Sequence, residues 1–438
     1  MAIVASLGFF IVALDTTVVN VALAHINHDF HTGVSGLQWV VDGYTVAFAS
    51  LLLSAGALSD RVGAHHAFRW GLGGFVLASA ACGLAPNIGV LIGARVVQGL
   101  AGAVVQPSSL ALASTAFSDP SRQRQGISIW TSAGAAAITA GPVLGGLFTD
   151  WLGWRSVFYI NLPIGIFGVI AATRVFRRAP ARPAHLDLPG QILAAVTLFA
   201  LTFGVIEGGH DGFGRPYVIA ALAVAVIAGV AFVLVELRET EPLLPMRLFH
   251  TRAAETAIGV SMVLFLVFYG QVFTLSLFFQ NVLGHSPAVT GLLFLPMTLL
   301  TTVGTFIASR MVARFGTWVP LVFGLEILAA AFLAFATVDR HTSTLLISLA
   351  LVPAGLGIAI GGPPLPMAMI ATLPAERAGI ASGVFNATRQ VGATLGVAIF
   401  GALVSSSFTR GMHIALYGSV VVLVLSIVAA LRWIRAPG

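Results

Sequence analysis

Ser132-Ala-Gly-Ala-Ala-Ala-Ile-Thr-Ala-Gly141-Pro142-Val-Leu-Gly145-Gly146 lies in a stretch with no charged residue between Arg124 and Asp150. A soluble helix avoids this composition, because glycine costs about 1 kcal/mol relative to alanine and an interior proline about 3 kcal/mol. In lipid the same residues are useful. No hydrophobic force draws helices together there, so small side chains that let backbones approach closely take over, and Gly141 and Gly145 have the small-xxx-small spacing that does so. Pro142 adds a stiff point or bend, and neighbouring helices satisfy the carbonyl it frees. Two readings are open: a static tight helix contact, or a contact at which the two halves of a transporter meet and rock.

Composition agrees with a membrane setting. The chain has 438 residues, 58% hydrophobic and 9% charged, with a mean hydropathy of +0.97; a soluble domain carries about 25% charged residues. Every basic residue is arginine, and the formal net charge is +6. Cys82 is the single cysteine, which excludes a disulfide framework and a metal–thiolate cluster. The segment Met1–Leu14 is apolar from its start, without a basic n-region or a cleavage site. It is expected to be a first span rather than a removed signal.

Apolar runs long enough to cross a bilayer fall at about 3–24, 37–57, 68–85, 88–115, 126–148, 157–175, 190–207, 216–236, 255–282, 288–310, 318–337, 343–372, 378–404 and 413–433. That is an expectation of fourteen transmembrane helices. Loops on one side carry sixteen arginines: Arg61, Arg69, Arg122, Arg124, Arg174, Arg177, Arg178, Arg182, Arg238, Arg247, Arg252, Arg310, Arg314, Arg377, Arg432 and Arg435. The other side carries Arg155, Arg215, Arg340 and Arg410. The positive-inside rule makes the first side cytoplasmic, with both termini there. The basic charge is therefore topology, and a nucleic-acid partner is not expected.

Sliding the chain along itself shows a repeat. Arg61-Val62-Gly63 falls on Arg314-Phe315-Gly316 at an offset of 253, and Gly126-Ile127 on Gly379-Ile380 at the same offset. At 256, Gly99-Leu100 falls on Gly355-Leu356 and Pro107 on Pro363. These matches define six-helix units at 1–178 and 252–438, with two additional helices and their linkers in 179–251. Parallel repeats of this kind place a substrate site between the halves near the bilayer midplane.

Several short motifs follow in a consistent order: Leu14-Asp15-Thr16-Thr17-Val18-Val19-Asn20, Gly56-Ala57-Leu58-Ser59-Asp60-Arg61-Val62-Gly63, Ala94-Arg95-Val96-Val97-Gln98-Gly99, Gly141-Pro142-Val143-Leu144-Gly145-Gly146, Trp154-Arg155 through Asn161-Leu162-Pro163, and Asn386-Ala387-Thr388-Arg389-Gln390. Together they resemble the fourteen-span drug:proton antiporter-2 family of the major facilitator superfamily, in particular its methylenomycin-A-resistance-like exporters. The resemblance covers essentially the whole chain. It implies an all-α polytopic membrane protein with the major facilitator fold, two six-helix pseudo-repeats plus two extra central helices. It further implies Gly56, Asp60, Arg61 and Gly63 as a conformational-switch loop, and Gly141, Pro142, Gly145 and Gly146 as an antiporter motif. The sequence departs from the family pattern at His65-His66, where basic residues are usual, so the charge of that loop is expected to depend on pH.

Residue physics selects candidates beside the resemblance. An ionisable group inside a span costs at least about 2.5–3.5 kcal/mol on insertion scales, so it should face the interior and serve a purpose. Asp15 is the leading proton carrier and Arg95 its natural partner. Burial disfavours an ionised carboxyl and a nearby cation favours it, so a partner that moves between conformations switches a carboxyl's protonation. The alternative is a static interior ion pair. Asp42, Gln98, Glu326, Asn386 and Arg389 are candidates for the substrate cavity; Asp42 and Glu326 are open between that role and wetted residues, and Arg389 between substrate contact and tying spans together. His25, His28 and His31 with Asp29 have spacings that suit a metal, but a solvated outer loop is the expected reading, and no metal is assigned. No phosphate-cradling Walker loop is present. The aromatic stripe Phe265, Phe268, Tyr269, Phe273, Phe278 and Phe279 reads as packing or as part of a pocket for lipophilic compounds.

The expectation is a non-enzymatic, proton-coupled exporter of lipophilic or amphipathic drugs in a bacterial plasma membrane. Its partners would be a small-molecule substrate, protons and the lipid bilayer, with no cofactor and a functional monomer. Export of an endogenous metabolite and, against Gly141-Pro142, nutrient import are the alternatives. A membrane sensor without transport is disfavoured by Asp15 and Arg95.

Overall fold

The computed structural model describes all residues except 117–119, 177–186, 240, 241, 243, 245, 247, 248, 339–341, 372–377 and 435–438. Of the loop arginines counted above, Arg177, Arg178, Arg182, Arg247, Arg340, Arg377 and Arg435 lie outside the described residues, as does the expected boundary at 178. The described residues contain helices and no strand. Within lipid every backbone N–H and C=O must be satisfied inside its own segment, which leaves the helix as the form for apolar spans.

The first part of the chain forms α1 (Ala2–Phe30), α2 (Gly33–Val62), α3 (Ala64–Gly83), α4 (Ile88–Ser114), α5 (Pro120–Leu152), the short α6 (Ser156–Tyr159) and α7 (Asn161–Val175). Next come α8 (Leu188–Asp211) and α9 (Pro216–Arg238). The remainder forms α10 (Arg252–Leu277), which continues into a π-helical turn at Phe278–Val282, then α11 (Pro287–Phe315), α12 (Trp318–Phe335), α13 (Thr344–Gly361), α14 (Pro364–Ala371), α15 (Ala378–Ser406) and α16 (Phe408–Trp433). Local signals set the ends. The Asn87 side chain accepts from Val90 N at 3.0 Å to cap α4, and Thr251 accepts from Ala254 N at 3.3 Å to cap α10. Gly63 and Gly316, the repeat-related pair, take φ of 86° and 75° after α2 and α11. Only glycine adopts that backbone without strain, so the short sequence match marks the same turn twice.

Twelve helices or continuous helix pairs among the described residues are long and apolar enough to cross a bilayer. The two arms of α2, Gly33–Leu52 and Ser54–Val62, meet at 60° and raise the number to thirteen if they form one span. The expected fourteen are thus not all matched. The missing one is α3, whose twenty residues include His65, His66 and Arg69 and several glycines, which dilute its apolar character.

The chain divides into two compact units. Unit 1 holds Met1–Ala195 with His285–Leu292, and unit 2 holds Val196–Gly284 with Leu293–Gly438. Within unit 1, α1 packs along α5, α4 packs on α2 and α3, and α7 lies on α3 and α1. Within unit 2, α10 packs along α15, and α12 packs on α13 and α16. The pairings α1 on α5, α3 on α4 and α3 on α7 in unit 1 have counterparts in α10 on α15, α12 on α13 and α12 on α16 in unit 2.

The glycine-rich stretch of α5 does its work inside unit 1. A Cβ on Gly141 would strike the Thr17 side chain, and one on Gly145 would strike Val18, both on α1. Gly146 meets the Pro287 carbonyl and Gly291 meets the Pro142 carbonyl, which seats the start of α11 on the same stretch. In the structure Gly145 faces α1, and it is Gly146 that meets the first turn of α11.

Candidate functional site

Asp15 lies midway along α1, fully enclosed at 0% exposure. Two helices bring three donors to its carboxylate. Arg95 of α4 donates from Nη1 to Asp15 Oδ2. Gln98, three residues further along α4, donates from Nε2 to Oδ1 at 2.9 Å, and Asn161 at the start of α7 donates from Nδ2 to the same oxygen at 2.9 Å. Ser79 Oγ of α3 accepts from Gln98 at 2.6 Å and from Asn161 at 3.2 Å. Gln98 Oε1 accepts from Arg95 Nη1 at 2.7 Å and from the Cys82 thiol at 3.6 Å. Charge-assisted hydrogen bonds such as Arg95 to Asp15 are the stronger ones, and a low-dielectric setting strengthens the whole network while making any orphaned member costly.

Close helix approach is what places these groups. Gly99 of α4 sits where a Cβ would strike the Tyr44 carbonyl of α2, and Gly102 sits against Tyr44 and Phe48. With α2 that near, Arg95 Nε donates to the Val40 carbonyl at 2.9 Å, and the guanidinium lies 4.3 Å from the Tyr44 ring centre and 5.8 Å from that of Phe158. These contacts compensate a cation that is 1% exposed. On the other side, Gly165, one turn beyond Asn161, lets α7 meet Val76 of α3. The result is an ion pair sealed from water, held by six helices of one unit. Chemically, it is a carboxyl group to which one guanidinium and two amides donate.

The structure joins Asp15 and Arg95 as the sequence led us to expect, and it also encloses Gln98 in their network at 0% exposure. Asn161 and Ser79 were not singled out, although Asn161 stands in the quoted Asn-Leu-Pro stretch. Asp42 is also 0% exposed; its Oδ1 accepts from Thr45 at 3.2 Å and its Oδ2 has no partner among the described residues. No described hydrogen bond links it to Asp15. In unit 2, Glu326 is exposed on α12 and makes no ion pair among the described residues. Asn386 and Arg389 are half-buried on α15, with the Arg389 guanidinium 5.9 Å from the Phe265 ring centre of α10.

In the last turns of α2, Gly56 is partly buried, while Asp60 and Arg61 are exposed and make no ion pair among the described residues. His65 is buried at 4% exposure with its ring 3.8 Å from that of His66. At the far end of α1, Asp29 accepts from Trp154 Nε1 at 2.7 Å and pairs with Arg155 at 3.4 Å. The carboxylate among the three outer histidines is therefore used to hold the α5–α6 connection.

Comparison with known proteins agrees with this architecture. The chain is 37% identical over 405 residues to the multidrug resistance protein Stp of Mycobacterium tuberculosis, covering 92% of this chain and 75% of that one. It is 36% identical over 432 residues to the methylenomycin A resistance protein of Streptomyces coelicolor, covering 98% and 91%. Among solved structures, a D-xylose-proton symporter shares the fold with a TM-score of 0.68 at 15% identity, covering 99% of this chain and 97% of that one. Residues 5–397 match the family described as the Major Facilitator Superfamily. A multi-pass membrane chain with this repeat and these relatives belongs to the Major Facilitator Superfamily.

Proposed function

We propose that this chain exports lipophilic or amphipathic toxic compounds across a bacterial plasma membrane in exchange for protons, working as a fourteen-span monomer with both termini cytoplasmic. The resistance and multidrug names of its relatives favour export of drugs, and the family argues against an enzyme. In this reading 1–178 and 252–438 are the alternating-access bodies, and 179–251 holds two accessory spans. Export of an endogenous metabolite shares the mechanism and differs in substrate.

The observation that carries proton coupling is the sealed Asp15–Arg95 pair, with Gln98 and Asn161 as its only other donors to the carboxylate among the described residues. Withdrawal of Arg95 in one state would leave a buried carboxyl that favours its neutral form; return of Arg95 would expel the proton. A pH gradient then shifts the population of the two states and works on the substrate. Asp42, Glu326, Asn386 and Arg389 are assigned to the substrate path, Gly56, Asp60, Arg61 and Gly63 to the switch loop, and Gly141, Pro142, Gly145 and Gly146 to the antiporter motif.

The test is uptake of puromycin and of tetraphenylphosphonium into inverted vesicles under an imposed pH gradient. Asp15→Asn imitates the protonated form and cannot cycle. It is expected to insert, to lose gradient-driven uptake of both probes, and to keep exchange of substrate down its own gradient. Undiminished gradient-driven uptake by Asp15→Asn would remove Asp15 from the mechanism and leave Asp42 or Glu326 in its place.

A further inference from the structure

α10 carries a buried stripe at helical spacing: Ala257, Val260, Leu264, Val267, Gln271, Thr274 and, at the start of the π-helical turn, Phe278. Each is at most 3% exposed. Positions three and four apart share a helix face, so these side chains form one continuous row. The row is apolar for its first four members and then changes character. Gln271 and Thr274 are each 2% exposed, yet Gln271 Nε2 and Thr274 Oγ1 have no hydrogen-bond partner among the described residues.

An amide and a hydroxyl left unpaired in an apolar interior are unfavourable, and no water in the hydrocarbon region relieves them. Leucine and valine would fill the same positions without that penalty. Immediately beyond them the helix widens into the π-turn Phe278–Val282, a departure that recurs at functional sites. The turn presents an aromatic layer: the Phe278 ring centre lies 6.3 Å from those of Phe279 and Phe408, and Phe279 lies 5.5 Å from Phe294. Gly270, next to Gln271, meets Phe400 and the Gly396 carbonyl of α15, which fixes this part of α10 in place.

We propose that Gln271 and Thr274 form a hydrogen-bonding subsite that takes a carbonyl or hydroxyl group of the exported compound, with the aromatic layer beside it receiving an apolar ring. Gln271 Nε2 supplies the donor, and Thr274 both donates and accepts. The substrate class this selects is an aromatic compound bearing an oxygen acceptor rather than a purely hydrocarbon cation. This assignment rests on the export reading above and specifies which compounds satisfy it.

The test uses the full chain in lipid nanodiscs, with puromycin as the oxygen-bearing probe and tetraphenylphosphonium, which has no hydrogen-bonding group, as the control. Gln271→Leu and Thr274→Val remove the unpaired atoms with little change of volume. Each is expected to raise or preserve the unfolding temperature without probe, because an orphaned polar group disappears. Each is also expected to weaken puromycin binding by about tenfold, the consequence of losing one buried hydrogen bond, and to leave tetraphenylphosphonium binding unchanged. The assignment is overturned if either variant lowers the unfolding temperature, if puromycin binding is retained, if both probes weaken equally, or if the unaltered protein does not bind puromycin. Gradient-driven tetraphenylphosphonium uptake by the same variants keeps the export reading separate, since it survives loss of this subsite and fails with Asp15→Asn.

Discussion

At the scale of single residues, Asn161 is the most informative addition to the site. It gives Asp15 one of its three side-chain donors and also bonds Ser79, so it links α7 to α1 and α3 without carrying charge. Asn161→Ala should leave Arg95 to Asp15 intact while removing a buried hydrogen bond worth about 1–3 kcal/mol when its partner is left short. The expected result is a lower unfolding temperature in nanodiscs and slower gradient-driven uptake, with wild-type behaviour on both counts removing Asn161 from the site. Asp15 and Arg95 were legible in the sequence because a charge in an apolar run stands out by its insertion cost. Asn161 and Ser79 were not, because a neutral polar residue costs less and many sit harmlessly in spans. Gln98 was visible as a polar residue near Arg95, but its burial depends on how closely α3 and α7 approach, which no spacing within α4 encodes.

Elements show a similar division. The composition of α5 announced tight packing correctly, and the structure shows that its partner is largely α1: Gly141 and Gly145 lie against Thr17 and Val18, within one turn of Asp15. Small residues declare that something comes close without naming what does. The same limit hid the 60° bend of α2 between Leu52 and Ser54, where no proline marks the site. The contact on α1 yields a sharper expectation than a general packing defect. Gly145→Leu must displace Val18, and overpacking of this kind costs about 1–3 kcal/mol. Val18 and Asp15 share α1, so displacing Val18 shifts Asp15 relative to Gln98 and Asn161. Insertion should be normal and gradient-driven uptake lost, whereas Gly73→Leu, with nothing within 4 Å of its added Cβ, should behave as wild type. Equal activity of the two variants would show that α5 does not hold α1 in register.

For the whole molecule, the repeat was readable because backbone geometry dictated residues: a turn at positive φ demands glycine, so Gly63 and Gly316 recur where the turn recurs. Span counting was less secure, since α3 keeps its twenty residues but not the required apolarity. Orientation rests on arginine placement, and it is open to direct measurement. Cys82 is the single cysteine, and its thiol donates to Gln98. Cys82→Ser retains a donor there, so it should fold and give a background free of other thiols. On that background, cysteines replacing His28, Asn87 and Gly214, all exposed, should react with a membrane-impermeant maleimide added to intact cells. Cysteines replacing Arg174, Arg238 and Arg314, also exposed, should react only after the membrane is opened. Arg174, Gly214 and Arg238 matter most, because they flank α8 and α9, which return the chain to its starting side only if both cross the bilayer. Labelling of Arg174→Cys and Arg238→Cys from opposite sides would leave one of those helices unspanning. The second six-helix unit would then be inverted, and the parallel repeat on which the transport reading depends would fail.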